Sequence, residues 1–270
     1  MYKNEREQEI LLHLRQYSYL TVEYLSKKMN VSASSIRRDL ADMESRGLVT
    51  RSYGGVELTA GGNRTVPFSM RMHENASEKK RIAELAAGLL HNGDVVFLDG
   101  SSSAYFVARE LVKLKRITVL TNSIESMAFF GDYDIKAYCT GGATLPENRS
   151  ALVNEIALAA VDRFFADYFF FSAQALLPDG RIFDCYEAEV PLRRRMMQNS
   201  AKTVFLCDRT KLSRRSTYYQ GNVEEVDCIC SDISLRDYFE KTPARPTFLC
   251  PSGLSEEEKV RRKENFSAGS

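Results

Sequence analysis

Ile10, Leu11, Leu14 and Tyr17 recur every three to four positions, a spacing that predicts an amphipathic helix near the N-terminus. A second stripe, Val22, Leu25 and Met29, follows Thr21. A third, Ile36, Leu40 and Met43, starts behind an N-cap at Ser32 and stops at Gly47, with Asn30 and Val31 forming the turn between the last two. The next stretch, LVTRSYGGVEL, alternates like two strands around Gly54-Gly55. Three helices, a tight turn between the second and third, and a closing hairpin together predict a winged helix-turn-helix.

From Glu78 onward the pattern changes. Ile82, Leu85, Ala86, Leu89 and Leu90 mark a helix broken at Gly93-Asp94, and VVFLD is a short continuous apolar strand. Four more helix and strand pairs follow: SAYFVARELV and ITVLT, IESMAFF and IKAYCT, LVNEIALAAVDRF and DYFFFSA, EVPLRRRMM and KTVFLCD. Pro191 fits the last of these helices only in its first turn. This alternation predicts a larger, mostly parallel α/β domain whose ligands sit at the carboxyl ends of the strands. TAGGNRTV reads as a flexible connection, and SGLSEEEKVRRKENFSAGS as a polar tail that can form a short surface helix. The expected division is 1–58 winged helix-turn-helix, 59–73 linker, 74–250 α/β domain and 251–270 tail.

Composition leaves room for two cores, since 270 residues carry 44% hydrophobic content. The formal net charge of +1 announces no nucleic-acid partner by itself, so any such assignment rests on local placement. The N-terminal MYKNEREQ has no apolar h-region and the apolar runs are too short for a bilayer, so a cytoplasmic chain without a membrane partner is expected. Six cysteines lack CxxC spacing and several fall in apolar runs, which predicts buried free thiols. Neither a metal nor an organic cofactor is expected.

Opposite Ile36 the third helix carries Ser34, Arg38, Ala41 and Ser45, with Ser35 and Arg37 on the flanks. A helix entering a major groove about 12 Å wide needs such a slim, polar face with donors that reach bases and phosphates. Ser32, Ser34, Ser35, Arg37 and Arg38 are therefore candidate contacts to double-stranded DNA, with Arg51, Gly54 and Gly55 of the hairpin beside them. Either arginine alone is better read as a solvated face; the whole arrangement shifts the balance. From Thr21 to Val56 the chain resembles the DeoR family of bacterial transcriptional regulators, whose VS-x-x-TIRRDL-x-x-L-x-x-x-G-L-x-R-x-x-GG pattern stands here as VSASSIRRDLADMESRGLVTRSYGG. Ser35 replaces the usual threonine and Met43 a frequent leucine. The resemblance implies that the third helix reads operator DNA and that the wing steadies it.

In the second domain VVFLD runs into Gly100, Ser101, Ser102 and Ser103 at a helix start, where free N–H groups suit an anion. ITVLT ends in Thr121, Asn122 and Ser123, IKAYCT in Gly141 and Gly142, and KTVFLCD in Asp208 with Lys211 three residues on. Singly, each is a turn, a cap or a surface pair; their recurrence at one sheet edge makes a candidate phosphate site. The resemblance continues through Pro67-Phe68, Arg71, Asn75 and Glu78-Lys79, then LDGSSSA, TNS, GG and D-x-x-K. It implies a domain similar in fold to ribose-5-phosphate isomerase that senses a phosphorylated sugar, with Asp99, Gly100, Ser101, Ser102, Ser103, Thr121, Asn122, Ser123, Gly141, Gly142 and Lys211 as ligand candidates. Glu187, Glu189 and Arg193 stand near the family's acidic and basic positions, which places Glu189 and Arg193 at the effector pocket, although an i, i+4 pair is more often just a surface salt bridge. Gln174 and Ala175 depart from the family's glycine-rich segment, and Phe171 stands where a smaller residue is common.

The expected function is a transcriptional repressor of carbohydrate genes, acting as a homo-oligomer (dimer or tetramer) on operator DNA and controlled by a phosphorylated sugar. The alternative is a sugar-phosphate isomerase or deaminase-like enzyme with a DNA-binding appendage. That reading needs a base at the site. His13, His73 and His91 fall elsewhere, leaving Asp99 and Asp208, and no catalytic residue is assigned. A ligand-free architectural DNA binder would need no such edge of glycines and hydroxyls.

Overall fold

The computed structural model describes residues 3–17, 19–45, 48–52, 55–58, 68–145, 148–212, 214–235, 237–241, 243 and 245–251. Gly47, Gly54, the greater part of the expected linker (59–67) and the tail (252–270) lie outside them. Two compact units divide the chain between Glu74 and Asn75.

The first unit contains α1 (Lys3–Tyr17), β1 (Tyr19–Thr21), α2 (Val22–Met29), α3 (Ala33–Ser45), β2 (Val49–Ser52), β3 (Gly55–Leu58) and a helical turn α4 (Phe68–Arg71). The last of these falls in the segment expected as linker. Thr21 caps α2 by accepting from the Tyr24 N–H at 3.0 Å, and Asn30 takes the left-handed conformation (φ 52°) that ends it. Ser32 then caps α3, its hydroxyl accepting from the Ser35 N–H at 3.3 Å. Ile10, Leu14, Leu25, Ile36, Leu40, Met43, Val49 and Val56 form one buried core. Arg6 Nε donates to Asp39 Oδ2 at 2.8 Å and lashes α1 to α3.

Two details differ from the pattern-based expectation. Tyr19-Leu20-Thr21 is a strand, so the sheet has three strands in the order β1-β3-β2. Gly55 lies inside β3, paired with Thr21 and Ser52, rather than in the hairpin turn. Glycine fits here because a Cβ would stand 2.7 Å from the Leu20 carbonyl oxygen, which is fixed backbone, as well as 2.1 Å from the Tyr19 hydroxyl.

The second unit runs α5 (Ala76–Ala87), β4 (Val95–Leu98), α6 (Ser102–Leu111), β5 (Thr118–Thr121), α7 (Ile124–Phe130), β6 (Lys136–Cys139), β7 (Ala143–Thr144), β8 (Leu152–Val153), α8 (Glu155–Val161), β9 (Ala166–Phe171), β10 (Ala175–Leu176), β11 (Arg181–Asp184), α9 (Val190–Gln198), β12 (Ser200–Cys207), β13 (Tyr218–Asn222), β14 (Cys228–Ser231) and β15 (Thr247–Leu249). Seven strands form a parallel sheet in the order β15-β14-β12-β9-β4-β5-β6. Phe169, Phe170 and Phe171 are all fully buried, which is why β9 reads as a continuous apolar run: both faces of the sheet are covered. Pro191 occupies the first turn of α9, where its missing N–H is harmless.

LVNEIALAAVDRF, expected as one helix, divides. Leu152–Val153 pairs with β7, and α8 starts only after Asn154, which turns the chain at φ 96° and caps the helix by accepting from the Ile156 N–H at 3.0 Å. A small antiparallel sheet, β10-β11-β13, is a further addition. From β4 the chain proceeds toward β5, and from β9 toward β12, although β4 and β9 are neighbours. The crevice at their carboxyl ends is the switch point where parallel sheets receive ligands.

Candidate functional site

On α3, Ile36, Leu40 and Met43 face the core while Ser32, Ser34, Arg37, Arg38, Ala41 and Ser45 are exposed and Ser35 is half-buried. The Ser32 hydroxyl lies 3.0 Å from those of both Ser34 and Ser35. Among the described residues no carboxylate pairs with Arg37 or Arg38. Arg51 is different. Its Nε donates to Glu44 Oε2 at 2.6 Å and its backbone N–H to Oε1 at 2.8 Å, and these bonds hold the Glu44 carboxyl below its usual range. The guanidinium expected at a phosphate is thus already engaged by a carboxylate, which weakens that expectation.

Along the carboxyl edge of the large sheet the strand ends follow one another as Gly141 and Gly142 after β6, Asn122 after β5, Asp99 to Ser103 after β4, Ser172 after β9, and Asp208 to Lys211 after β12. Asp99 and Asp208 stand two strands apart, with Asp208 three residues further along the strand direction. Ser101 caps α6 by accepting from the Ala104 N–H at 3.1 Å, while its own N–H donates to Asp99 Oδ1 at 3.0 Å. The Ser102 and Ser103 N–H groups belong to the first turn and have no intrahelical acceptor, so a ten-residue helix presents its positive end at the switch point.

Glu189 and Arg193, a plain surface pair on one reading of the sequence, are buried at the centre of this edge. Arg193 Nε lies 2.9 Å from Asp99 Oδ2, Nη1 2.5 Å from Asp184 Oδ2 and Nη2 2.7 Å from Glu189 Oε2. Burial opposes the guanidinium's charge, but the attraction of Asp184, Glu189 and Asp99 outweighs it and holds its pKa above the usual arginine value. Three carboxylates around one cation would leave excess negative charge, and neutral donors complete them. Ser172 N–H reaches Asp99 Oδ2 at 3.2 Å, Cys185 N–H reaches Asp184 Oδ1 at 2.6 Å, and Asn148 Nδ2 reaches Glu189 Oε1 at 2.5 Å.

Thr121 and Ser123 are brought to the edge, but their hydroxyls serve the chain itself, accepting from the Ser123 and Ser126 N–H groups. Asn122 keeps a buried Oδ1 with no partner. Gly141 and Gly142 adopt φ +67° and +109°, and a Cβ on Gly142 would stand 2.4 Å from the Val153 carbonyl oxygen. Lys211 Nζ lies 3.6 Å from Asp208 Oδ2. Burial pushes the Asp208 carboxyl up, but Lys211, the Thr210 hydroxyl and Lys79 together hold it below its usual value. Lys79, buried in α5, is thereby a second cation at this corner, and Asn75 Nδ2 ties α5 to it through Thr210 Oγ1 at 3.2 Å. Sequence periodicity marks none of Asn148, Ser172 or Asp184. Lys79 is visible beforehand only through the family's EK pair.

These two surfaces define a one-component DNA-binding regulator with a sensor domain, and the chain belongs to the DeoR family. The model described as the DeoR-like helix-turn-helix domain matches residues 6–60, and the one described as the DeoR C terminal sensor domain matches residues 74–233. Among its relatives are the HTH-type transcriptional regulator GolR of Listeria innocua, 31% identical over 86% of this chain and 91% of that protein, and the HTH-type transcriptional repressor GlcR of Bacillus subtilis, 30% identical over 86% and 89%. The L-fucose operon activator of Escherichia coli is 28% identical over 85% and 95%. A solved structure of ribose 5-phosphate isomerase A from Methanocaldococcus jannaschii aligns with a TM-score of 0.39 and 19% identity, over 52% of this chain and 55% of that one.

Proposed function

We propose that this chain is a cytoplasmic repressor of carbohydrate-metabolism genes that binds double-stranded operator DNA through α3 as a homo-oligomer, and that a phosphorylated sugar at the β4 and β9 strand ends controls its affinity. The observation that carries the reading is the outer face of α3, where slim side chains surround two arginines that no described carboxylate neutralises. The relatives' names, a repressor and an operon activator among them, support gene control with either sign. Pairing of subunits follows from the few phosphates one winged helix contacts. The two ligands would favour different members of one conformational equilibrium, coupled by about 1 to 3 kcal/mol.

Geometry argues against the isomerase alternative. Asp99 accepts from two backbone N–H groups and from Arg193, and Asp208 holds Lys211 and Thr210, so neither carboxylate is left free as a base. The test is fluorescence anisotropy on the DNA upstream of the chain's own gene, with and without a panel of sugar phosphates, together with an assay for turnover. Specific binding released by one sugar phosphate that is recovered unchanged is the expected result; turnover, or binding indifferent to sequence, would overturn it.

A further inference from the structure

Residues 148–151, which lead into β8, run as a short strap along the carboxyl edge of the large sheet, and both ends are fastened. Asn148 donates to Glu189 and accepts from the Ser150 N–H at 3.3 Å. The Ser150 carbonyl accepts from the Ile124 N–H at 3.0 Å, and Ala151 bridges Ser123. Ala151 then lies directly on the loop after β4, since a Cβ built on Gly100 would stand 2.7 Å from the Ala151 Cβ. Leu152 and Asn122 bond each other twice, N–H to carbonyl at 2.8 Å and Asn122 Nδ2 to carbonyl at 3.0 Å.

Asn148, Ser150 and Ala151 are buried, and Arg149 is the exposed residue of the strap. Among the described residues no carboxylate pairs with it. An arginine on a backbone fastened on both sides loses less freedom on meeting an anion than one on a loose loop. A second group lies beside the same loop. Asn122 is 2% exposed, its Oδ1 has no partner, and its amide nitrogen lies 3.6 Å from where a Gly100 Cβ would be. A buried carbonyl oxygen calls for a donor.

We propose that Arg149 closes over the phosphate of a ligand seated on the α6 N-terminus, while Asn122 Oδ1 accepts from a hydroxyl on the carbon next to that phosphate's ester oxygen or one further along. The ligand class is a hydroxylated phosphomonoester. This rests on the effector reading above and deepens it by naming a specificity residue. Helix amides supply partial charges, and Lys211 is already engaged by Asp208, so Arg149 brings a full cation with a fork that matches two phosphate oxygens.

Thermal-shift titration of the full chain, without DNA, tests it with three probes: inorganic phosphate, ethyl phosphate and ribose 5-phosphate. Wild type should respond to all three and most strongly to the hydroxylated one. Arg149→Ala should weaken each response on the order of tenfold to a hundredfold, Arg149→Lys should recover part of it, and Arg163→Ala, another exposed arginine, should behave as wild type. Arg149→Ala titrating like wild type would overturn the Arg149 assignment alone. A wild type indifferent to all three probes would remove the anion site together with it.

Discussion

Arg193 Nε and Asp99 Oδ2 lie 2.9 Å apart, both buried, although 94 positions separate them in the chain. The bond joins α9 to the end of β4 and fixes the loop that leads into α6. Removing one partner of a buried ion pair strands the other, so Arg193→Ala should cost about 3 to 5 kcal/mol. For a unit of this size that is a fall in Tm of roughly 6 to 20 °C. Differential scanning calorimetry measures it, and a variant melting within two degrees of wild type would contradict the hub's structural role. Asp99→Ala belongs to the same class: it should lose stability before it loses any ligand response.

Arg38→Ala should weaken operator binding by roughly 1 to 3 kcal/mol while leaving Tm and the sugar-phosphate response intact, because the side chain is exposed. An unchanged anisotropy midpoint would remove Arg38 from the interface. Arg51→Ala should cost less, since Glu44 already neutralises that guanidinium.

Asp208 titrates at a lower pH folded than unfolded, so the unfolded chain binds its proton more tightly. Its contribution is therefore complete above the unfolded value of about 4 and is lost as pH falls through the folded value. Urea unfolding of wild type and Asp208→Asn should differ at pH 6 and converge toward pH 3. A gap that stays constant over that range would show that the carboxylate's charge is not what stabilises this corner.

Gln220 presents a buried carboxamide, 1% exposed, with neither its oxygen nor its nitrogen hydrogen-bonded to the protein. It is the extra residue of a bulge in β13, where Ile182 pairs with Gly221 and Phe183 with Tyr219. Gln220→Met keeps the volume and removes the unpaired groups, so it should stabilise the ligand-free chain by about 1 to 3 kcal/mol. A loss of stability on substitution would mean that the amide is satisfied in solution.

The helices and large-sheet strands are legible wherever one local rule dominates. Ile36, Leu40 and Met43 keep the helical period because a single stripe of α3 is buried, and VVFL and YFFF are continuous because their strands are covered on both faces. Leu152 and Val153 mislead for the opposite reason: they fit the stripe of α8, and only the left-handed turn at Asn154, which periodicity does not register, separates them. The strand-end glycines and serines are local features and so announce themselves. Asn148, Ser172 and Asp184 do not, because what makes them matter is an arginine tens of residues away or on another element.

The three serines that open α3 share their hydroxyl protons. Ser32 Oγ is bonded to both neighbouring hydroxyls and also accepts a backbone N–H, so rotating the protons exchanges donor and acceptor without moving a heavy atom. At that turn the protein can therefore offer either polarity to whatever lies opposite, and it discriminates poorly there. If α3 enters the groove as proposed, choosing among base pairs would fall to groups with a fixed character, the cationic forks of Arg37 and Arg38 and the methyl of Ala41.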